Sequence, residues 1–580
     1  MEIKTVVEVL AAEGFAPPCI EALLPDVNNY SAMLMQPLGC IEADPTGVRN
    51  RDRALAEAQF GKFLDAARQT GAALAVTPEY ATPWSALVRV LSEGKGPEAG
   101  KLWVLGCESI KYSQLQALKG ELAELATVLF EPLQPDESRF VDPLAYVFRA
   151  KRGEDEKTAI LVQFKTHPMG DKHHFEINSM QRGSRIYQFG GDGKHLRLVS
   201  LICSDVLDFD EAKATALYDR SLIIHIQLNP KPRQDLFRLY RDLLFLKFKE
   251  DQTELICLNW ARNVILWDGG KAIEWKNNSA SAWYLKSEDF DAGDATLCSN
   301  HKRGLYYTWL KKSYTNVLFF NYEPAVFNVI ATKVAHIGVP APASRRVGPK
   351  LVKTCFWDEG AGDWVEHAAV KDEFEGVVAE AGQARQQVED LWKSNPFCVE
   401  RVLALCAGEI EHSEDWHGVQ YLDSCSIDGS EVIYRMTFCQ DTDGSGGKFR
   451  KKRLKRCGNL WDILKHKSSL PEALKDFEGD FRLEWTAGSP HQNAVTDAGG
   501  RASVIYLGEE SGEKEATEVA SRIEEFLRRS LADREARRRS IQRVAVWYRD
   551  EGKIVTLNPN RHTRFDQGGD TPAYDIGREG

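Results

Sequence analysis

Leu198-Val199-Ser200-Leu201-Ile202-Cys203-Ser204-Asp205 is an apolar run that stops at a cysteine and turns polar at once. A short run of this kind reads as a buried strand, and here it delivers a thiol to the end of a sheet. The same punctuation recurs on the N-terminal side. Ala73-Leu74-Ala75-Val76 leads into Thr77-Pro78-Glu79, and Val162-Gln163-Phe164 leads into Lys165-Thr166-His167-Pro168. Further apolar runs stand at 32–36, 102–106, 146–148, 160–162, 222–226 and 255–258. Between them, Ala56, Phe60, Phe63, Leu64 and Ala67 recur at helical spacing with Gly71 as a C-terminal cap, and Leu236, Leu239, Tyr240, Leu243 and Lys247 form a second amphipathic stretch. Buried strands alternating with helices predict an α/β domain over residues 28–338.

Flanking segments have other signatures. Residues 1–27 read as a short helix at 6–11 and a connection through Pro17, Pro18 and Pro25. Pro340-Ala341-Pro342-Ala343-Ser344 and Gly348-Pro349 predict a linker at 339–350. An α+β domain is expected over 351–557. Its elements are one long helix through Phe374, Val377, Val378, Ala381, Val388, Leu391 and Trp392, a strand at 432–438, a glycine-rich turn at 442–447, an amphipathic helix through Val519, Ile523, Phe526 and Leu527, and a strand at 544–548. Residues 558–580 are polar and glycine-rich and read as a flexible tail.

Length and composition bound the function. A chain of 580 residues exceeds one ordinary core. Its 43% hydrophobic and 27% charged residues belong to a soluble globular protein. The 74 Lys and Arg against 85 Asp and Glu give a formal charge of −11, which opposes a general affinity for polyanions while leaving room for a local basic patch. Twelve cysteines fall without a C-x-x-C pair. No signal-peptide pattern opens the chain and no stretch reaches the ~18 apolar residues of a membrane span. The expectation is a cytoplasmic protein with reduced thiols, most of them small buried hydrophobes.

Taken singly, a strand-end cysteine is usually packing, and a strand-end Glu or Lys is usually a solvated terminus. Together, a carboxylate at Glu79, an ammonium at Lys165 and a thiol at Cys203 supply what acyl transfer requires: a base, a cation for the oxyanion and a nucleophile. A base and a cation nearby would also make Cys203 the most reactive of the thiols.

The order Glu, Lys, Cys, in the contexts Pro78-Glu79-Tyr80, Lys165-Thr166-His167 and Leu201-Ile202-Cys203-Ser204-Asp205, resembles the nitrilase (carbon–nitrogen hydrolase) superfamily. Met35-Gln36-Pro37, Ala66-Ala67-Arg68-Gln69-Thr70-Gly71-Ala72 and Asn259-Trp260-Ala261 add to the likeness, which covers about 28–338. It implies a four-layer α-β-β-α sandwich ahead of the separate α+β domain, homo-oligomers, and a small-molecule amide or nitrile substrate. It also implies roles: Cys203 as nucleophile of a thioester acyl-enzyme, Glu79 as general base, Lys165 with the Ser204 backbone amide as oxyanion site. Glu176, beyond the lysine, matches a second glutamate that orients substrate or base. Neither cofactor nor metal is implied. Adjacent His173 and His174 on a strand would face opposite sides and seldom bind one ion. Ser204 stands where the family typically has an aromatic residue, which leaves the substrate class open.

Two basic clusters remain. Lys448, Arg450, Lys451, Lys452, Arg453, Lys455 and Arg456 put seven basic residues within 448–456, and Arg534, Arg537, Arg538, Arg539 and Arg543 form the second. They are a candidate grip for a nucleic acid or protein partner. They also fit a charged hairpin strand protecting a sheet edge and a solvated helix face, and the acidic balance of the chain favours that reading. Two function classes follow. One is a cysteine-dependent amidase-type hydrolase. The other is a regulated effector or assembly protein, whose nitrilase-like domain is governed by a partner held through the C-terminal domain.

Overall fold

The structure, a computed structural model, describes the chain except for residues 27–28, 171–174, 192–195, 218–219, 231–234, 247–252, 263, 269, 275–280, 286–293, 311–314, 322, 334–347, 368–376, 395, 410–447, 467–469, 487 and 558–580. Contacts divide it into two units, Met1–Ala292 with Ser299–Val370, and Gly293–Cys298 with Lys371–Gly580.

In the first unit the apolar runs are buried on both faces because each face of their sheet is covered. Trp103, Leu105, Ala145, Val147, Ile160 and Val162 pack in one core with Phe60, Phe63 and Leu64 of the helix Arg53–Gln69 and Leu87 and Val90 of the helix Trp84–Ser92. The intervening side chains meet a second sheet: Tyr146 and Phe148 lie against Phe189, ring centroids 5.0 and 5.5 Å apart. Gln163 ties the sheets together, donating through Nε2 to Ser200 O (2.9 Å) and accepting from Tyr187 N (3.0 Å). Each large aliphatic residue so enclosed is worth about 1.5–3 kcal/mol.

Among the described residues the first sheet has nine strands, with Asn29–Gln36, Leu74–Thr82 and Leu102–Cys107 parallel at its centre and Pro143–Arg152 and Asp155–Phe164 beyond them. The second has eight, with Arg197–Ile202, Ser221–Ile226 and Glu254–Leu258 parallel at its centre. Tyr240, Leu244 and Phe245 of the helix Asp235–Leu246 are buried, and Tyr240 meets His225 of the second sheet edge-on. The layers therefore run helix, sheet, sheet, helix, with the strand ends bearing Glu79, Lys165 and Cys203 at their interior.

Two boundaries differ from the sequence reading. Glu2–Thr5 is a strand paired with Arg185–Phe189, so residues 1–27 are not merely a connection. Lys350–Asp358 pairs with Ala325–Thr332, and Asp363–His367 pairs with it in turn, so the first unit runs on through the expected boundary at 350. The reason lies in alternation that the preceding prolines obscured: Leu351 is buried while Lys350 and Val352, on the other face, are exposed. Most of the expected linker, 339–347, lies outside the described residues.

The second unit has its own sheet of Arg482–Leu483, Ala494–Val495, Arg501–Tyr506, Val544–Asp550 and Lys553–Leu557. The helix Glu513–Ser530 joins the parallel pair Arg501–Tyr506 and Val544–Asp550, burying Val519, Ile523 and Leu527. The single helix expected through Val378 and Leu391 is broken into a turn, Val378–Ala384, and the helix Arg385–Ser394, at Gly382 with φ +54°. The strand expected at 432–438 and the turn at 442–447 lie outside the described residues.

Candidate active site

Glu79 and Tyr80 leave the plane of their strand. Pairing of Leu74–Thr82 with Leu102–Cys107 is interrupted between Thr77 and Thr82, and Tyr80 takes φ +56°. Gly106 opposite makes this possible, since a Cβ there would stand 2.1 Å from Pro78 O. Cys203 opens the turn Cys203–Asp208 directly after the strand Arg197–Ile202, with φ +40°. Non-glycine residues in this region are strained, and such strain concentrates at functional sites.

Asp205 locks this turn to the segment after Lys165. Its Oδ2 accepts from Ile202 N (3.1 Å), and its Oδ1 accepts from Thr166 N (2.7 Å), Thr166 Oγ1 (2.9 Å) and His167 N (3.0 Å). Ser204 Oγ donates to His167 O at 2.5 Å. A small hydroxyl is what that fully buried position accommodates.

All four residues singled out from the sequence come together. Lys165 Nζ donates to Glu79 Oε1 (2.7 Å) and to both oxygens of Glu176 (2.8 and 2.7 Å). Cys203 is 1% exposed, and its thiol is within hydrogen-bonding reach of the Glu79 carboxylate. Glu79 Oε2 also accepts from Leu228 N (2.5 Å), and Glu176 accepts from Tyr80 OH (3.0 Å) and Met169 N (2.6 Å). Oxygens of Glu79, Asp142 and Glu176 lie within 4.8 Å of one another, a spacing that could hold a cation. The cation they enclose is the Lys165 ammonium, with Asp142 Oδ2 at 3.6 Å.

Burial sets the protonation states. It pushes the Cys203 thiol well above its usual value, and the Glu79 and Glu176 charges add to the rise despite Lys165. At rest, then, Cys203 is a thiol rather than the ready thiolate expected from its neighbours alone. Burial likewise raises Glu79, with Lys165 opposing. It works against the Lys165 ammonium, but Glu176 and Glu79 outweigh it and hold that pKa well above normal.

His225, which the sequence reading passed over, fixes the backbone of Cys203. Its Nε2 lies 2.9 Å from Cys203 O, and since a carbonyl only accepts, that nitrogen carries the proton. Nδ1 is left to accept from Tyr240 OH at 2.5 Å. Burial pushes its pKa down to about 3, so the folded ring stays neutral while the unfolded ring takes up a proton below pH ~6.5. Unfolding free energy should fall as pH drops from ~6.5 towards ~3, by up to roughly 4 kcal/mol for this group. Glu79, Asp142 and Asp205, raised by burial, act with the opposite sign. The difference in denaturation midpoint between the wild type and His225→Asn, followed across that range, isolates the histidine. A difference that does not change with pH would contradict a neutral buried ring.

Asp142 and Asp205 were also missed. Asp142 had a weak signal, a charged residue just before Pro143 at the head of an apolar run. His173 and His174 lie outside the described residues. The basic run at 448–456 lies on the helix Lys448–His466 rather than on a hairpin strand. Arg453 is buried and donates to Glu409 Oε2 (2.6 Å), Arg456 pairs with Glu409 (3.0 Å) and Lys455 with Glu380 (3.4 Å). Arg543 pairs with Asp476 at 2.9 Å.

No protein-family profile and no curated protein matches the chain. Among solved structures it is similar to the NitN amidase of Nesterenkonia sp. AN1, at 16% identity and TM-score 0.27, over 44% of this chain and 84% of that one. It is also similar to the glutamine-dependent NAD+ synthetase of Acinetobacter baumannii (10%, TM-score 0.30, 62% of this chain and 53% of that one). A carbon–nitrogen hydrolase superfamily protein of Xanthomonas campestris, bearing an arsenic adduct in its active site, gives 14% and 0.26 over 44% and 82%. The structural neighbours are nitrilase-superfamily proteins. Likeness at these scores transfers no function, and the chemistry has to come from this chain's own side chains.

Proposed function

We propose that this chain is a cysteine-dependent hydrolase of a non-peptide carbon–nitrogen bond, amide or nitrile, with a nitrilase-like first unit. The observation that carries this reading is the Lys165 ammonium, bound at 2.7 Å to both Glu79 and Glu176 beside a strained, buried cysteine. With an amide, the Cys203 sulfur attacks the carbonyl carbon as its proton passes to Glu79. Lys165 and the Ser204 N–H hold the oxyanion. Glu79 gives the proton to the departing amine, the C–N bond breaks, and a thioester remains. Glu79 then deprotonates water, which cleaves the thioester and returns the thiol. A nitrile enters as a thioimidate and consumes one further water before ammonia leaves. Glu176 orients Lys165 and Tyr80 rather than taking part in the bond changes.

The test is ammonia release by the full chain from a panel of short amides and nitriles, with mass spectrometry of the quenched enzyme. An acyl adduct on the Cys203 peptide is expected. Glu79→Gln should slow turnover by about 100- to 10,000-fold, as loss of a general base does. Ammonia release with no adduct at Cys203, or no release from any compound, would overturn the reading.

A further inference from the structure

The three carboxyl groups around Lys165 are not equivalent, and hydrogen-bond accounting tells them apart. Glu79 accepts N–H bonds from Lys165 and Leu228. Glu176 accepts from Lys165, Met169 and Tyr80. Asp142 is 1% exposed, and neither of its carboxyl oxygens has a hydrogen-bond donor. Lys165 Nζ stands 3.6 Å from its Oδ2, beyond hydrogen-bonding distance, and its main-chain carbonyl accepts from Lys165 N at 2.9 Å. Were all three ionised, one ammonium would face three carboxylates in a site sealed from water, a net charge of −2 that burial does not tolerate. One proton must be taken up, and it goes to the group with no donors to lose.

We infer that Asp142 is a neutral carboxylic acid whose O–H donates to the Glu79 carboxylate, making it a positioning residue for the base. The inference rests on the hydrolase reading for its consequence, though not for the protonation state itself. Held by Lys165 on one side, Leu228 N on another and Asp142 on a third, Glu79 has its remaining capacity aimed at the Cys203 thiol. The charged and titratable groups facing Asp142 are Glu79, Lys165, Glu176, Tyr80 and Cys107. Burial, together with the Glu79 and Glu176 charges, pushes the Asp142 carboxyl well above the carboxylate range, outweighing Lys165.

The test compares wild type, Asp142→Asn and Asp142→Ala as full chains. In the infrared difference spectrum of wild type minus Asp142→Asn at neutral pH, the band lost should be that of a protonated carboxyl. Loss of a carboxylate band overturns the inference. The second readout is alkylation of Cys203 by iodoacetamide against pH, followed by mass spectrometry. Asn is neutral and can still donate, so Asp142→Asn should slow labelling only a few-fold and leave its pH midpoint in place. Asp142→Ala frees Glu79 and should slow it by up to about 100-fold, the scale of a mispositioned group. If Asp142 were an anion, Asp142→Asn would instead shift the midpoint to lower pH by removing a negative charge from the cluster of Glu79, Glu176 and Lys165 that acts on the thiol. Should the full chain form no acyl adduct at Cys203 with any amide or nitrile, the hydrolase reading fails, and the infrared band still decides Asp142. That band needs only the near-isosteric Asn variant, whatever becomes of the Ala variant's folding.

Discussion

Cys203→Ala is expected to abolish ammonia release while the protein stays folded. The side chain is small and its sulfur is held by no bond that the fold needs, so the truncation should cost about 1 kcal/mol of packing. What holds the turn is main chain and neighbours: Asp205 on Ile202 N and Thr166 N, and His225 on Cys203 O. All of these survive the substitution. The chemistry does not, because the attacking thiol is gone. Because burial keeps the resting thiol protonated, attack requires transfer of its proton to Glu79 within the step. Wild-type rates should therefore rise with pH over the range in which Glu79 ionises, and Glu79→Gln should lose that dependence. Circular dichroism and melting temperature check the fold, and ammonia release checks turnover. Appreciable release by Cys203→Ala would remove the nucleophile from the mechanism.

The parts of this structure that the sequence made legible share one physical cause. Where an apolar run ended on a polar residue, as at Val76 to Glu79, Phe164 to Lys165 and Ile202 to Cys203, the strand end was visible because burial on both faces left no alternation to confuse it. Those three ends meet because they belong to two sheets packed face to face, which the alternation of strands and helices implied. Glu176 was found only through the resemblance, since nothing in Phe175-Glu176-Ile177 distinguishes a buried carboxylate from a surface one. Asp142 gave only a weak signal, for a different reason. Its significance lies in the donors it lacks, and hydrogen-bond accounting exists only in three dimensions. The strand Lys350–Asp358 was masked by prolines upstream, and the helix Lys448–His466 by a charge run read without its partners. Arg453 and Arg456 look solvent-directed in the sequence, yet both converge on Glu409.

Lys165→Met should be the most damaging single change at the site, in stability as well as turnover. The ammonium is fully buried and is the cation for Glu79 and Glu176, each at 2.7 Å. Removing one partner of a buried pair leaves uncompensated charge and typically costs about 3–5 kcal/mol. Here two carboxylates lose their counter-ion together. Turnover should fall beyond the 100- to 1000-fold expected for one oxyanion donor, because Glu79 also loses the contact that orients it. The instability should carry a sign in pH. Burial already raises the Glu79 pKa and Lys165 opposes that rise, so without Lys165 it would climb further above the unfolded value of ~4.3 and the folded variant would bind an extra proton. Stability would then be retained near pH 4 and lost as pH rises through the raised value. Denaturation by urea at pH 5 and at pH 8 reads this directly, with the gap between variant and wild type widest at pH 8. Lys165→Met with Glu176→Gln removes one of the stranded charges and should recover part of the stability at pH 8 without restoring turnover. A variant as stable as wild type at pH 8 would mean that Lys165 is not the counter-ion of this cluster.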